Sequence, residues 1–190
     1  MKSSDSGPVS RYSDAYIFLV LEILSRHGRM SRKALVESIG LGEGSVRSML
    51  KVLKSWRWID VNREGSCLTE FGRASFEGFG IKLTEFCDGK YVLGRCQQAV
   101  IVAGAADTVT NGMAQRDMAV MNGASGASVF VMRNGRVLFP TIWDLDEKDP
   151  EAAARIRGAG LGEGDALVVV GSDDALRSRV AAAAVGLAMR

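Results

Sequence analysis

Cysteine and histidine are scarce in this sequence of 190 residues, which contains three cysteines and one histidine. Cys67, Cys87 and Cys96 form no Cys-x-x-Cys pair, and His27 has no second ligand close to it in the sequence. Metal sites and disulfide frameworks require such groupings. We therefore expect reduced cysteines and no metal or other cofactor.

Long apolar runs and a secretory signal are also missing. The apolar stretch at residues 16–24 is interrupted by Glu22, and it is far shorter than the roughly 20 residues that span a bilayer. Residues 1–8 are polar, whereas a secretory signal needs a basic segment followed by an apolar one. The sequence thus predicts a cytoplasmic protein with no membrane partner.

Sequence signatures of catalysis are absent as well. The chain contains neither a Gly-x-Gly-x-x-Gly motif nor a Walker sequence. No acid or nucleophile lies at a useful spacing from His27. We expect that the protein is not an enzyme.

The formal net charge is only +2, so total charge does not identify a binding partner. The distribution of charge is more informative. Residues 1–80 carry 12 Lys and Arg against 9 Asp and Glu, whereas residues 81–190 carry 12 against 13. This asymmetry predicts a flexible tail at residues 1–11, a DNA-facing domain at residues 12–80 and a neutral domain at residues 81–190.

The first domain is predicted to contain three helices, a hairpin and a fourth helix. Apolar residues at helical spacing, bounded by capping residues and glycines, place the first three helices at residues 14–27, 32–39 and 43–56. Residues 58–68 alternate around a turn at Glu64-Gly65, which predicts a β-hairpin. Thr69 then caps a fourth helix that ends near Gly80.

The third helix has one apolar face and one cationic face. Its outward positions are Arg47, Ser48, Lys51 and Lys54. A helix of this kind fits the major groove of DNA, and a basic hairpin tip can follow the flanking backbone. The same stripe is also typical of the solvated face of an ordinary helix. Glu64, beside Arg63 at the hairpin tip, argues against DNA contact.

The order of three helices and a hairpin resembles the winged helix-turn-helix fold of prokaryotic transcription regulators. Its most specific part runs from Trp58 through the Leu68-Thr69-x-x-Gly72 pattern, which resembles the wing and the following helix of that family. The resemblance implies contacts with double-stranded DNA. The residues that would face the major groove are Ser45, Arg47, Ser48 and Lys51, and those that would contact phosphates are Lys54 and Arg63.

The second domain is predicted to mix strands and helices. Strands are expected at residues 98–103, 128–132, 137–139 and 166–170, with a further short strand at residues 91–93. Helices are expected at residues 110–121, from Asp149-Pro150 onward, and after a Ser172 cap. Hairpins mixed with crossovers favour an α+β fold with two layers, in which helices cover one face of a mainly antiparallel sheet.

Three charged residues of the second domain are candidates for a ligand site. Asp107 follows a strand, and Arg116 and Asp117 lie within a predicted helix among small residues. They would either form a polar pocket for a small effector or a buried Arg–Asp pair that fixes the fold or a dimer interface. The helix start at Ser172 could accept an anion, although capping by nearby acids is the simpler interpretation.

Over its whole length the chain resembles a group of archaeal winged-helix proteins with an uncharacterised, sensor-like C-terminal domain. The residues that carry this resemblance include Ala105-Ala106-Asp107, residues 115–119 and Asn134-Gly135. The resemblance implies a transcription regulator that binds double-stranded DNA and has a C-terminal domain for sensing a small molecule. Because one short recognition helix reads only a few base pairs, we also expect a homodimer. The alanine run at residues 181–184 is the predicted surface for close packing between elements. The alternatives are an enzyme of the winged-helix-fused riboflavin kinase type and a protein–protein interaction module.

Overall fold

The computed structural model describes residues 12–141 and 143–190, and the predicted tail at residues 1–11 lies outside them. The chain divides into two compact units, of which the first ends at Arg73 and the second comprises Ala74–Arg190. This division falls within a helix, whereas the sequence places the boundary at its far end, after Gly80. We call the two parts the helical unit and the sheet unit.

The helical unit contains the predicted order of elements. Its helices and strands are α1 (Asp14–His27), α2 (Arg32–Ile39), α3 (Glu43–Ser55), β1 (Ile59–Asn62), β2 (Gly65–Leu68) and the start of α4 (Glu70–Glu77). The Ser31 hydroxyl caps α2 by accepting a hydrogen bond from the Ala34 amide at 3.2 Å. Gly40 ends the same helix in the left-handed conformation, with φ of 64°.

The core of the helical unit is built from the apolar faces of its helices. In α3 the inward stripe is fully or nearly fully buried, and it comprises Val46, Met49, Leu50 and Leu53. Leu35 and Ile39 of α2 are inaccessible to solvent. Because these side chains take one side of α3, the charged residues between them must point outward.

The hairpin is held in place by its turn and by a bridge to the segment before α2. The Asn62 side-chain oxygen accepts hydrogen bonds from the backbone amides of Glu64 and Gly65, at 2.9 and 3.2 Å. Met30 and Ser66 form an antiparallel bridge with backbone bonds of 2.9 and 2.8 Å. The strand β2 is thus fixed beside the start of α2.

The sheet unit is an α+β structure. Its elements are β3 (Ile81–Thr84), β4 (Cys96–Val102), α5 (Met113–Met121), β5 (Gly126–Arg133), β6 (Arg136–Phe139), β7 (Trp143–Asp144), α6 (Leu145–Lys148), α7 (Pro150–Gly158), β8 (Ala166–Ser172) and α8 (Ala175–Ala188). The six strands form one sheet in the order β3-β4-β8-β5-β6-β7, and every neighbouring pair is antiparallel. The predicted α+β class and antiparallel sheet are confirmed.

The prediction of two layers is wrong, because helices cover both faces of this sheet. Helices α5 and α8 pack on one face against β4, β5 and β8. On the other face, Leu145 of α6 and Ile156 of α7 share a core cluster with Ile101, Phe130 and Leu167 of the strands. All seven residues of β8 are buried, and a strand that is apolar on both sides needs cover on both sides.

Two local predictions in the sheet unit also fail. Residues 91–93 form no strand, and they belong to a loop that Gln97 holds by donating a hydrogen bond to the Val92 carbonyl at 3.0 Å. The helix expected from residue 110 begins only at Met113, because Gly112 adopts a left-handed φ of 76° immediately before it. Within the described residues, every helix is too short or too polar to cross a bilayer.

Candidate functional site

The outward face of α3 carries the residues that the sequence singles out. Arg47, Ser48, Lys51 and Lys54 are exposed, and Ser45 is half-buried. The Ser48 hydroxyl lies 3.3 Å from the Tyr12 hydroxyl. The outward face of α3 thus lies away from the core of the helical unit, and Tyr12 contacts it at Ser48.

A groove of about 400 Å³ lies between α3, the start of α2 and the hairpin. We call it the basic groove, and its lining residues are Ser31, Arg32, Arg47, Leu50, Lys51, Lys54, Val61, Asn62, Arg63, Glu64, Gly65 and Ser66. Five of these side chains are cationic and one is acidic. The structure brings Arg47, Lys51, Lys54 and Arg63 together at this groove, whereas Ser45 and Ser48 lie outside its lining.

Two arginines of the basic groove share one carboxylate. Glu43, the first residue of α3, accepts a bond from Arg32 Nη1 at 2.9 Å and from Arg47 Nη2 at 3.1 Å, and both reach the same oxygen, Oε1. Arg47 and Arg32 hold the pKa of the Glu43 carboxyl below its ordinary value through these bonds. The carboxyl therefore stays ionised at neutral pH.

The other three cations of the groove are available for an external anion. Within residues 12–141 and 143–190, Lys51, Lys54 and Arg63 form no ion pair. Lys51 and Lys54 lie on one exposed side of α3, and Arg63 lies at the hairpin tip. An anion that enters the basic groove thus meets positive charge from both the helix and the hairpin.

The hairpin wall of the basic groove is tied down by Arg29. Its guanidinium donates to the Gly65 carbonyl at 3.0 Å and to the Asp60 carboxylate at 3.3 Å. Arg29 therefore braces both strands of the hairpin, at Asp60 of β1 and beside the turn at Gly65 of β2.

Arg32 is the groove residue that sequence reasoning misses. It begins α2 and is not part of any periodic cationic stripe, so nothing in the sequence relates it to α3. Only the turn between α2 and α3 brings it against Glu43. The Ser31 cap predicts that α2 begins at Arg32, but it does not predict that Arg32 contacts Glu43.

The charged ligand candidates of the sheet unit lie on its surface. Asp107 has a side chain that is 97% exposed and contacts Arg133 Nη2 at 3.5 Å. Arg116 and Asp117 are more than one-third exposed and pair with each other at 3.7 Å. Arg116 and Asp117 therefore form no buried pair within the fold of the sheet unit, and their place in a dimer interface stays a prediction.

A cavity of about 370 Å³ lies near Asp107, at the β6–β7 edge of the sheet. It is lined by Thr110, Val131, Arg133, Leu138, Phe139, Pro140, Thr141 and Trp143. Arg133 is thus the cation that connects this cavity to Asp107, while Arg116 and Asp117 are absent from its lining.

Ser172 is a structural residue in this fold. It ends β8, it is 1% exposed, and its hydroxyl donates to the Asp174 carbonyl at 2.6 Å and lies 2.8 Å from the Ser178 hydroxyl. The prediction that Ser172 caps the last helix is wrong, because the Asp174 carboxylate makes the cap by accepting from the Arg177 amide at 2.8 Å. An anion at this helix start would meet a carboxylate already there.

The alanine run at residues 181–184 is used within the sheet unit. Ala181, Ala182 and Ala183 are inaccessible to solvent because α8 packs on β4 and β8. Gly186 of the same helix approaches Ile81 and Val100 so closely that a Cβ atom there would lie 2.9 and 3.1 Å from their side chains. The predicted close packing is therefore found within the sheet unit, and Ala184 is the partly exposed member of the run.

Known proteins share the fold and part of the sequence. The hypothetical protein PH0730 from Pyrococcus horikoshii OT3 has a similar solved structure, with a TM-score of 0.75 and 23% identity over 94% of this chain and 93% of that chain. At this level of identity the likeness concerns the fold alone. No curated protein matches the chain.

The sequence match to a family lies within the sheet unit. Residues 93–189, just over half of the chain, match a family described as "Domain of unknown function (DUF4443)". The predicted resemblance to archaeal proteins agrees with the Pyrococcus neighbour, although neither description mentions a winged helix or a regulator. On the extent of this match, the chain belongs to the DUF4443 family.

Proposed function

We propose that the helical unit is a winged helix that binds double-stranded DNA, and that the protein is a transcription regulator. The observation that carries the proposal is the basic groove, in which α3 and the hairpin tip present cations to one space. In this proposal α3 enters the major groove and the hairpin follows the flanking phosphates.

The exposed residues of α3 and the hairpin differ in the DNA groups that they can contact. Lys51, Lys54 and Arg63 are exposed and free of ion pairs in the described chain, so their charges can be neutralised by phosphates. Ser45 and Ser48 lie on α3 outside the groove lining, and short hydroxyl side chains suit hydrogen bonds to base edges. Glu64 lies at the rim of the groove, so it weakens the field at the hairpin tip without occupying the α3 face.

Salt-dependent DNA binding tests the proposal. We expect a random-sequence duplex carrying fluorescein to bind the protein with an affinity that falls linearly with salt on logarithmic axes. The variant that combines Arg47→Ala with Lys51→Ala removes two groove cations and should reduce the slope of that line by about two. Fluorescence anisotropy at several salt concentrations measures both quantities.

A matched control separates the groove from net charge. Combining Lys82→Ala with Lys148→Ala removes the same charge from exposed positions of β3 and α6 in the sheet unit. This control should leave affinity and slope unchanged. If the groove variant behaves like the control, or if the protein shows no salt-dependent affinity for the duplex, the DNA-binding proposal is wrong. That result would favour the alternative of a protein–protein interaction module.

The proposal assigns dimerisation and the sensing of a small molecule to the sheet unit, in a cytoplasmic homodimer. One recognition helix reads only a few base pairs, and a two-fold pair reads two half-sites about one helical turn apart. Analytical ultracentrifugation at micromolar concentration should give the mass of a dimer, and a monomer would refute this part. For sensing, the candidate region is Asp107 and the neighbouring cavity beside Arg133.

The enzymatic alternative has a direct assay. A riboflavin kinase would transfer phosphate from a nucleoside triphosphate to riboflavin, and the product is separable by chromatography. We expect no phosphorylated flavin, because the proposed activity is binding alone.

A further inference from the structure

Two guanidinium groups of the basic groove meet at one carboxylate oxygen of Glu43, which is not itself part of the groove lining. Arg32 Nη1 and Arg47 Nη2 lie 2.9 and 3.1 Å from Glu43 Oε1. Both arginines line the basic groove, and their side chains are 47% and 67% exposed. The two cations come from different helices, α2 and α3, and converge on a point that faces solvent.

Two guanidinium groups that converge on one anionic oxygen form an arrangement that also suits a phosphate. Arginine binds carboxylates and phosphates through the same fork of N–H donors. The Glu43 side chain is 61% exposed, and ion pairs at such exposure are weak because water and salt screen them. A DNA phosphodiester carries the same single charge as a carboxylate, but a duplex presents it beside many other phosphates that Lys51, Lys54 and Arg63 can bind at the same time, so it can replace this screened carboxylate.

We propose that Arg32 and Arg47 form a phosphate-binding site for DNA, and that Glu43 occupies this site until a DNA phosphate displaces it. This inference rests on the proposed function. It adds Arg32 to the DNA-binding residues and makes Glu43 an internal competitor that lowers affinity for any duplex. Lys51, Lys54 and Arg63 pair with no carboxylate in the part of the chain that the structure describes, so they attract the backbone first.

The variant Glu43→Gln tests the competition. It removes the negative charge but keeps the size of the side chain, and it should raise affinity for the fluorescein-labelled random duplex about threefold to tenfold and steepen the salt slope by about one. Glu70→Gln is the matched control, because Glu70 is an exposed acid of α4 with no ion pair in the described chain. It removes the same charge and should change neither quantity.

The coupling between Arg32 and Glu43 tests the site itself. Arg32→Ala should weaken DNA binding more in the Glu43→Gln background than in the unaltered protein, because Glu43 neutralises Arg32 only in the latter. Lys33→Ala, an exposed neighbour outside the groove lining, should have the same small effect in both backgrounds. Circular dichroism of each variant confirms that the fold is retained.

The outcomes separate this inference from the proposed function. Salt-dependent binding by the unaltered protein, with equal effects of Glu43→Gln and Glu70→Gln, overturns the inference and leaves the DNA-binding proposal intact. Equal effects of Arg32→Ala in the two backgrounds also overturn it. If the unaltered protein does not bind the duplex, both fail. A tighter Glu43→Gln variant whose gain is lost on adding Arg32→Ala supports the phosphate site.

Discussion

Gly72 lies where helix α4 touches the backbone of the chain entering the hairpin. A Cβ atom added there would lie 1.9 Å from the Trp58 carbonyl oxygen and 2.6 Å from its carbon. Real Cβ atoms essentially never approach other heavy atoms closer than 3.0 Å. The variant Gly72→Ala must therefore push α4 away by roughly 1 Å, and close-packed interiors transmit such a shift.

The shift would also break the start of α4. Thr69 Oγ1 donates to the Arg57 carbonyl at 2.8 Å and accepts from the Gly72 amide at 2.9 Å. Overpacking costs about 1–3 kcal/mol and a lost cap about 1 kcal/mol, while alanine regains about 1 kcal/mol of helix propensity. The free energy of unfolding should fall by about 2 kcal/mol, which lowers the melting temperature of a unit this small by about 10 °C.

Thermal unfolding followed by tryptophan fluorescence measures this change. Trp56 and Trp58 lie in the helical unit and Trp143 in the sheet unit. A Trp143→Phe background therefore makes the fluorescence signal specific to the helical unit. Gly44→Ala is the matched control, since a Cβ atom at this exposed position of α3 meets nothing within 4 Å and should stabilise the helix by up to about 1 kcal/mol. If Gly72→Ala melts at or above the unaltered protein, the close approach does not constrain α4 and the reasoning is wrong.

Two further predictions concern the sheet unit. The Asp149 carboxylate accepts bonds from Lys90, the Tyr91 hydroxyl and the Ala152 amide, and these lower its pKa to about 2. Because this folded pKa lies below the unfolded value, the contribution of Asp149 to stability is complete above pH 4 and is lost as the pH falls towards 2. The variant Asp149→Asn should therefore lose less stability over this pH range, which urea unfolding at several pH values measures. Phe130 is fully buried, and its ring packs edge-on against Tyr91 with a centroid distance of 5.6 Å. Phe130→Ala should therefore lower the free energy of unfolding by about 3–5 kcal/mol in urea unfolding. The control Leu93→Ala, at an 80% exposed position, should lower it by less than about 0.5 kcal/mol.

The helices of the helical unit were predictable because their signals are local. Ser31 and Gly40 bound α2 by a cap and a left-handed residue, and both effects act within one turn of helix. The apolar spacing of α3 identifies its buried side without knowledge of what covers it. The fourth helix was predictable at its Thr69 cap for the same reason.

In the sheet unit, some elements could not be predicted from local sequence signals. The burial of β8 on both faces depends on α6 and α7. The four-residue α6 was not predicted, whereas α7 was predicted from Asp149-Pro150; no local signal shows which face of the sheet α7 covers, so the second helical layer was missed. Ser172 and Asp174 are both good capping residues two positions apart, and pairing of Ser172 with Cys96 in the sheet decides which of them begins the helix. Such choices depend on distant partners rather than on neighbours in the chain.

The residues of the basic groove could also be predicted only in part. Arg47, Lys51 and Lys54 repeat along one helix face and could be selected from their spacing, whereas Arg32 joins them only through the fold. The Leu68-Thr69-x-x-Gly72 pattern gains a physical meaning here: Thr69 joins α4 to the carbonyls of Arg57 and Trp58, and Gly72 allows that contact. This pattern holds the hairpin against α4, so it specifies the scaffold of the basic groove, and its presence in another chain predicts a similar scaffold without predicting the charges that line it.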